Sequence, residues 1–124
     1  MPTIVHFDIS AEDTERAKQF YEKLFGWKIQ LLPGPPEYYL IETADLKGNI
    51  GVGAGLSKRD VIQGPGINNF IGVSSVQESE KNVIALGGKV LQEMQAVPGW
   101  GFISLCMDTE KNVFGLFQED ANSK

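Results

Sequence analysis

Polar and apolar residues alternate at the start of the chain: within Ile4–Ile9, Phe7 and Ile9 fall on one side and His6 and Asp8 on the other. That period of two marks a half-buried strand. The period then lengthens. Ala17, Phe20, Tyr21 and Leu24 follow the i, i+3, i+4, i+7 rule, which predicts a helix laying one apolar stripe, widened by Phe25, on a sheet. Asp13 offers the N-cap, Glu15 sits in the positive first turn, and Gly26 ends the helix. Trp27–Leu32 and Tyr38–Thr43 read as strands on either side of Pro33-Gly34-Pro35-Pro36, a break that neither helix nor ladder can pass. After a turn signal at Lys47-Gly48-Asn49, Ile50–Leu56 alternates Ile50, Val52 and Ala54 with Gly51, Gly53 and Gly55. Three glycines on one strand face leave it bare, which suits close approach of another backbone or a ligand.

Ser57–Asn69 reads as a polar linker, after which the pattern restarts. Phe70–Val73 is strand-like, and Ser75-x-x-Glu78 is a capping box. Val76, Val83, Ile84 and Leu86 give a helix closed by Gly87-Gly88. Strands are then expected at Lys89–Glu93, Gly101–Met107 and Val113–Gln118, with turns at Pro98-Gly99 and Asp108–Asn112 and a frayed tail from Glu119 to Lys124. The order is βαβββ twice, an internal repeat within a single domain of 124 residues, with modules at about 1–57 and 67–120. The fold class is therefore α+β. With one helix for four strands, each sheet is covered on one face only; if the sheets curve, their other faces become walls that enclose a cleft.

A net charge of −5, with no run of Lys or Arg, argues against a nucleic-acid partner. No stretch is apolar enough to span a bilayer and the first residues lack the layout of a signal peptide, so no membrane partner and a cytoplasmic location are expected. Cys106 is the only cysteine and His6 the only histidine, which excludes an internal disulfide and a Cys/His zinc site.

Several segments together resemble one family. They are His6-Phe-Asp-Ile, Asp13-Thr-Glu-Arg-Ala, Phe20-Tyr-Glu-Lys-Leu-Phe-Gly-Trp27, Ala85-Leu-Gly-Gly-Lys-Val90, Val97-Pro-Gly-Trp100 and Asp108-Thr-Glu-Lys-Asn-Val-Phe-Gly-Leu-Phe-Gln118. With them the whole chain is similar to the vicinal oxygen chelate superfamily (glyoxalase I, bleomycin-resistance proteins and extradiol dioxygenases), and most to a glyoxalase-like subgroup related to lactoylglutathione lyase. The resemblance implies two βαβββ modules with curved mixed sheets forming a cleft, a small-molecule ligand, and pairing of chains into a homodimer. In the superfamily's metalloenzymes a divalent ion in the cleft acts as a Lewis acid on two adjacent substrate oxygens. By that resemblance His6 falls on the first metal-ligand position. The other positions depart from the pattern: no carboxylate or imidazole stands near Ile50-Gly51-Val52, Asn68 falls where a His is usual, and Gly115 replaces a Glu. One imidazole and an amide are short of the three or four ligands such an ion takes.

The expected function is a small-molecule-binding protein with an aromatic-lined cleft and without the full metal site. His6, Asp8 and Asn68 are its candidate polar anchors, and Phe70, Trp100, Phe102 and Gly115 line it, Gly115 leaving room where the charge of a Glu is missing. The alternatives are an enzyme, metal-dependent or using His6 as a base, acting as lyase, isomerase or dioxygenase on vicinal oxygens, and a dimerising interaction module. Asp8 has three available roles: orienting His6, accepting a ligand's hydrogen bond, or facing water. Core packing is the ordinary role for most of the aromatics, Tyr38 and Tyr39 among them, and a buried small hydrophobe is the expected role of Cys106.

Overall fold

A computed structural model describes residues 2–33, 37–60, 62 and 64–124. The strands and helices run β1 (Ile4–Ala11), α1 (Thr14–Phe25), β2 (Lys28–Leu32), β3 (Tyr38–Glu42), β4 (Gly53–Lys58), β5 (Ile67–Gly72), α2 (Val76–Ala85), β6 (Lys89–Val97), β7 (Gly101–Met107) and β8 (Val113–Glu119). This is the expected α+β fold, with βαβββ twice over. No helix among the described residues is long and apolar enough to cross a membrane.

The chain divides into two compact units, His6–Asn68 and Met1–Val5 with Asn69–Lys124. In the first, the strands lie in the order β2-β3-β4-β1, with β1 parallel to β4 and the other pairs antiparallel. In the second, the order is β5-β8-β7-β6, with β5 parallel to β8 and the other pairs antiparallel. The duplication is thus one of topology: in each unit the first strand pairs in parallel with the last.

Strand alternation sorts the first unit into two faces. Ile9, Ala11, Ile29, Tyr39, Ile41, Ala54 and Leu56 form its buried core, with Phe7, Ala17, Tyr21 and Trp27 packed against it. Each isoleucine or leucine among them taken fully from water contributes roughly 1.5–3 kcal/mol before the cost of ordering it. His6 and Asp8, between these positions, lie on the opposite face. The second unit repeats the scheme with Val76, Cys106 and Leu116 at its centre and Val83, Val90, Phe102 and Phe114 against them.

Both helices begin where capping chemistry places them. Asp13 Oδ1 accepts from Arg16 N at 3.0 Å, and Ser75 Oγ accepts from Glu78 N at 3.1 Å. Gly26 takes the left-handed conformation, φ 71°, that ends α1. The donor of Val76 N is met by Gln118 Oε1 at 3.0 Å, so the last strand caps α2.

Several expectations are corrected. The stripe of α1 is not buried: Ala17 and Tyr21 face the core, while Phe20, Leu24 and Phe25 are 60%, 58% and 57% exposed. A sheet of four strands is wide enough to contact only one side of the helix. Ile84 and Leu86 likewise point outward from α2. β4 starts at Gly53 rather than Ile50, because the β3–β4 pairing slips by one residue between Ile41↔Ala54 and the isolated bridge Ala44↔Ile50. β5 begins at Ile67, inside the expected linker, and β6 runs on to Val97 through register shifts. The tail is held: Ser123 is buried, its Oγ donates to Val97 O at 2.7 Å, and Gly99 N donates to Ser123 O at 3.1 Å. Residues 34–36 of the proline break, and 61 and 63 of the linker, lie outside the described residues.

The repeat also survives in a loop. Asp45-Leu-Lys-Gly-Asn49 joins β3 to β4 and Asp108-Thr-Glu-Lys-Asn112 joins β7 to β8. In each, the Asp Oδ1 accepts from the backbone N two and four residues on, at 2.8 and 2.9 Å, and its Oδ2 accepts from the Asn side chain. Those bonds, led by the one from the Asn backbone, hold both carboxyls below the usual range. The fourth position needs positive φ: Gly48 has φ 89°, whereas Lys111 adopts φ 70° with a side chain. Lys111→Gly should raise stability by up to about 1 kcal/mol, and Gly48→Lys should lower it by a similar amount. Urea denaturation of the two variants checks this, and a loss of stability in Lys111→Gly would contradict the strain.

Candidate functional site

His6, Asp8 and Tyr38 meet on the open face of the first unit. The ladder brings them together. β1 pairs with β4 so that His6 lies beside Gly53 and Asp8 beside Gly55, and β4 pairs with β3 so that Tyr38 stands opposite Ser57, one diagonal step from Gly55. A Cβ on Gly55 would run into both the Tyr38 hydroxyl and the Asp8 carboxylate, and one on Gly53 would stand 3.8 Å from His6 Nδ1. The bare glycine face expected from the sequence is therefore present at these two positions, and side chains of the same unit occupy it. Gly51 precedes the strand and faces Thr43.

The three polar groups form a closed triangle. Tyr38 Oη donates to Asp8 Oδ1 at 2.6 Å, and His6 Nε2 lies 2.8 Å from both Asp8 Oδ1 and Tyr38 Oη. A phenol has one hydrogen, and here Asp8 receives it. His6 Nε2 must then carry a hydrogen shared between the two oxygens, which fixes the imidazole's tautomer as Nε2–H or makes it the cation. Of Asp8's three available roles, orienting His6 is the one this geometry shows. Burial first, then the charge and hydrogen bond of Asp8, push the Tyr38 phenol far above its usual value. It is a neutral donor at any working pH. The His6 side chain keeps 27% of its surface and Asp8 12%, so the imidazole edge is the part that meets solvent or a ligand.

The donor set does not fit a chelated ion. Among the described residues no group of three or more His, Cys, Asp or Glu side chains comes together as a metal site. His6 Nε2 is turned to Asp8 and to a phenol that stays protonated.

The other expected residues are distributed as follows. Asn68 is buried on β5, the last residue of the first unit. Phe70, Trp100, Phe102 and Gly115 belong to the second. Phe70 pairs with Gly115, and its ring fills the space a Cβ on Gly115 would take. Phe70 is 4% exposed, so the room left by the missing Glu holds a ring of the same unit. Phe102 is a correction: it packs into the core cluster of α2 with Cys106 and Leu116, on the helix side of its strand. Trp100 is half exposed at the β6–β7 turn. Cys106 is fully buried, and burial raises its thiol pKa, which makes it unreactive.

Tyr38 is the site residue that the sequence reading passed over. The signal was available: Tyr38 and Tyr39 are neighbours on a strand, so one must face away from the core. Tyr39 is the buried member.

Comparison with known proteins follows this geometry. A family profile described as "Bleomycin resistance protein-like N-terminal" matches residues 3–44, the segment that carries His6, Asp8 and Tyr38. A "Glyoxylase-like domain-containing protein" of Didymella fabae is 31% identical, with 88% of each chain covered. Among solved structures, a variant of Streptomyces coelicolor methylmalonyl-CoA epimerase in complex with 2-nitronate-propionyl-CoA superposes with a TM-score of 0.71 at 16% identity, covering 98% of this chain and 97% of that one. Methylmalonyl-CoA epimerase from Mycobacterium tuberculosis gives 0.65 at 15% identity, covering 94% and 87%. These structural likenesses are to the fold.

Two outcomes are expected. A folded-state phenol pKa raised above its unfolded value of about 10 gives stability that is complete below pH ~10 and is lost as pH rises further. Urea unfolding followed from pH 9 to pH ~11.5 should show this loss, reduced by one proton's worth of slope in Tyr38→Phe. Equal slopes would place the phenol in water. Separately, Gly115→Ala should cost about 1–3 kcal/mol through collision with Phe70, and Phe70→Leu in the same chain should recover part of it in thermal denaturation.

Proposed function

Because the chain belongs to the vicinal oxygen chelate superfamily, as a glyoxalase-like and bleomycin-resistance-like protein, we propose that it binds a compact carbonyl-bearing small molecule at the His6–Asp8–Tyr38 triangle. The observation that carries this reading is the triangle itself: three polar side chains set against each other over two glycines. In such a group the phenol's one hydrogen, now donated to Asp8, can turn to an arriving carbonyl or carboxylate oxygen while His6 stays hydrogen-bonded to Asp8. Gly53 lets a ligand approach the imidazole without a side chain in the way. That the epimerase likenesses hold acyl-CoA ligands supports a carbonyl-bearing class.

A second reading, a metal-free isomerase or lyase, is favoured by one further fact. Tyr38 is kept neutral beside a carboxylate and an imidazole, the combination that proton transfer next to a carbonyl requires. In it the Asp8–His6 pair takes the proton from carbon, and as that pair accepts it the phenol's one hydrogen turns from Asp8 to the enolate oxygen and steadies it.

His6 gives the test, since one histidine yields one imidazole signal in the proton spectrum. Titration with a panel of short 2-oxo acids, 2-hydroxy acids and 1,2-diketones should move that signal saturably for one of them. The response should vanish in Tyr38→Phe and in Gly55→Val. An imidazole signal unmoved by the whole panel up to ~10 mM, a range that would capture weak ligands, contradicts the binding reading. The same samples in D₂O separate the two readings: deuterium entering the bound compound next to its carbonyl, and not doing so with Asp8→Asn, marks the enzyme.

A further inference from the structure

The first unit contains a cavity of about 460 Å³ on its helix side, away from His6 and Asp8. We propose that it is a second binding site, for a monocarboxylate with a flat apolar body. Ile9 and Ala11 form its floor, and Ala17, Phe20 and Tyr21 its wall. Arg16 and Arg59 also line it, and they are the only two arginines in the sequence. In an acidic chain whose other cations are all lysines, both planar, always-charged forks are found at one cavity. Arginine is the side chain that grips a carboxylate through two parallel hydrogen bonds.

The present partners of Arg59 are weak enough to yield. Its Nε donates to Ser10 Oγ at 3.3 Å, and its Nη1 lies 3.5 Å from Glu12 Oε1, on a side chain that is 74% exposed. Those distances exceed the 2.7–2.9 Å or so of a strong charge-assisted pair. Ser10 is itself fixed: it is buried, and its hydroxyl donates to Gly64 O and Gly66 O at 3.0 and 3.2 Å. It aims the guanidinium without neutralising it. The side chain of Asp13 is turned to its cap, accepting from Arg16 N.

The acids also set the ligand's charge. Glu12 and Asp13 line the same cavity as the two arginines, so the site balances near neutrality and repels a dianion such as phosphate more than a single carboxylate. The apolar body follows from the wall. Phe20 is 60% exposed, so its ring face is open for an apolar group to lie on. Tyr21 is braced behind it, edge-on to Phe20 and stacked on Trp27 with both centroid distances 5.2 Å. A flat ring laid on this wall with its carboxylate on Arg59 uses both the aromatic wall and the guanidinium. The volume falls in the range of roughly 300–1,000 Å³ typical of small-molecule sites.

Two arginines give two side-chain Nε–H signals in a ¹⁵N–¹H spectrum, so the site can be read directly. Addition of 3-phenylpropanoate should move the Arg59 signal saturably, whereas 3-phenylpropan-1-ol and inorganic phosphate should not. Phe20→Ala and Arg59→Lys should each weaken the response about tenfold or more. Phe20 is exposed, so its loss leaves the fold intact, as the amide spectrum will show. The proposal is overturned if neither arginine signal moves by ~10 mM probe, if the alcohol or phosphate moves them equally, or if both variants respond as the wild type does. The His6 imidazole signal should stay still throughout, and movement there alone would assign the probe to the other site.

Discussion

A missing Cβ on the last strand of each unit governs what stands on the open face. Gly55 of β4 and Gly115 of β8 occupy corresponding places, each paired in parallel with a residue of the unit's first strand, Asp8 and Phe70. Any larger residue at either place would collide with what is now there. In the first unit the vacated space holds a phenol and a carboxylate, and a hydrogen-bonded triangle results. In the second it holds a benzene ring. One backbone requirement therefore yields a polar cluster in one unit and an apolar one in the other, and the duplicated topology is chemically asymmetric.

That asymmetry bears on the electrostatics of the site. A phenol buried beside a carboxylate is a strong reason for the phenol to stay neutral. The carboxylate gains two donors in return. The histidine that completes the triangle remains partly open to solvent. The same β1 strand serves two purposes by alternation: its even residues His6 and Asp8 build the triangle, while Ile9 and Ala11 form the floor of the cavity under α1. Ser10 anchors Arg59 at the strand's end.

Much of this was legible in the residues. Periodicity gave all eight strands and both helices, because alternation and the i, i+4 rule report burial directly. Asp13, Ser75 and Gly26 marked helix ends because capping is local chemistry. His6 and Asp8 were placed on one face for the same reason. What escaped depends on tertiary register. The diagonal reach of Tyr38 over Gly55 needs the β3–β4 alignment, and the slip at Ala44↔Ile50 that sets it leaves no local mark. Phe102 was grouped with Trp100 in the cleft lining, whereas its strand turns it to the helix side. The outward-facing Phe20, Leu24 and Phe25 fit the helical pattern as well as buried residues would, since a sequence shows which stripe is apolar but not how much of it the sheet can reach.

The two Asp-anchored loops have a consequence for how the chain acquires its shape. Each closes an antiparallel hairpin between neighbouring strands, a contact between residues close in sequence that forms quickly and independently. The parallel pairings β1–β4 and β5–β8 instead join residues separated by roughly forty-five positions, and loop closure of that length must come first. The triangle spans β1, β3 and β4, so its members meet only when the slower pairing has closed over a hairpin already in place. A chain arrested before that step would contain native hairpins and no triangle. Formation of the triangle is thus a report on late assembly, recorded in one imidazole.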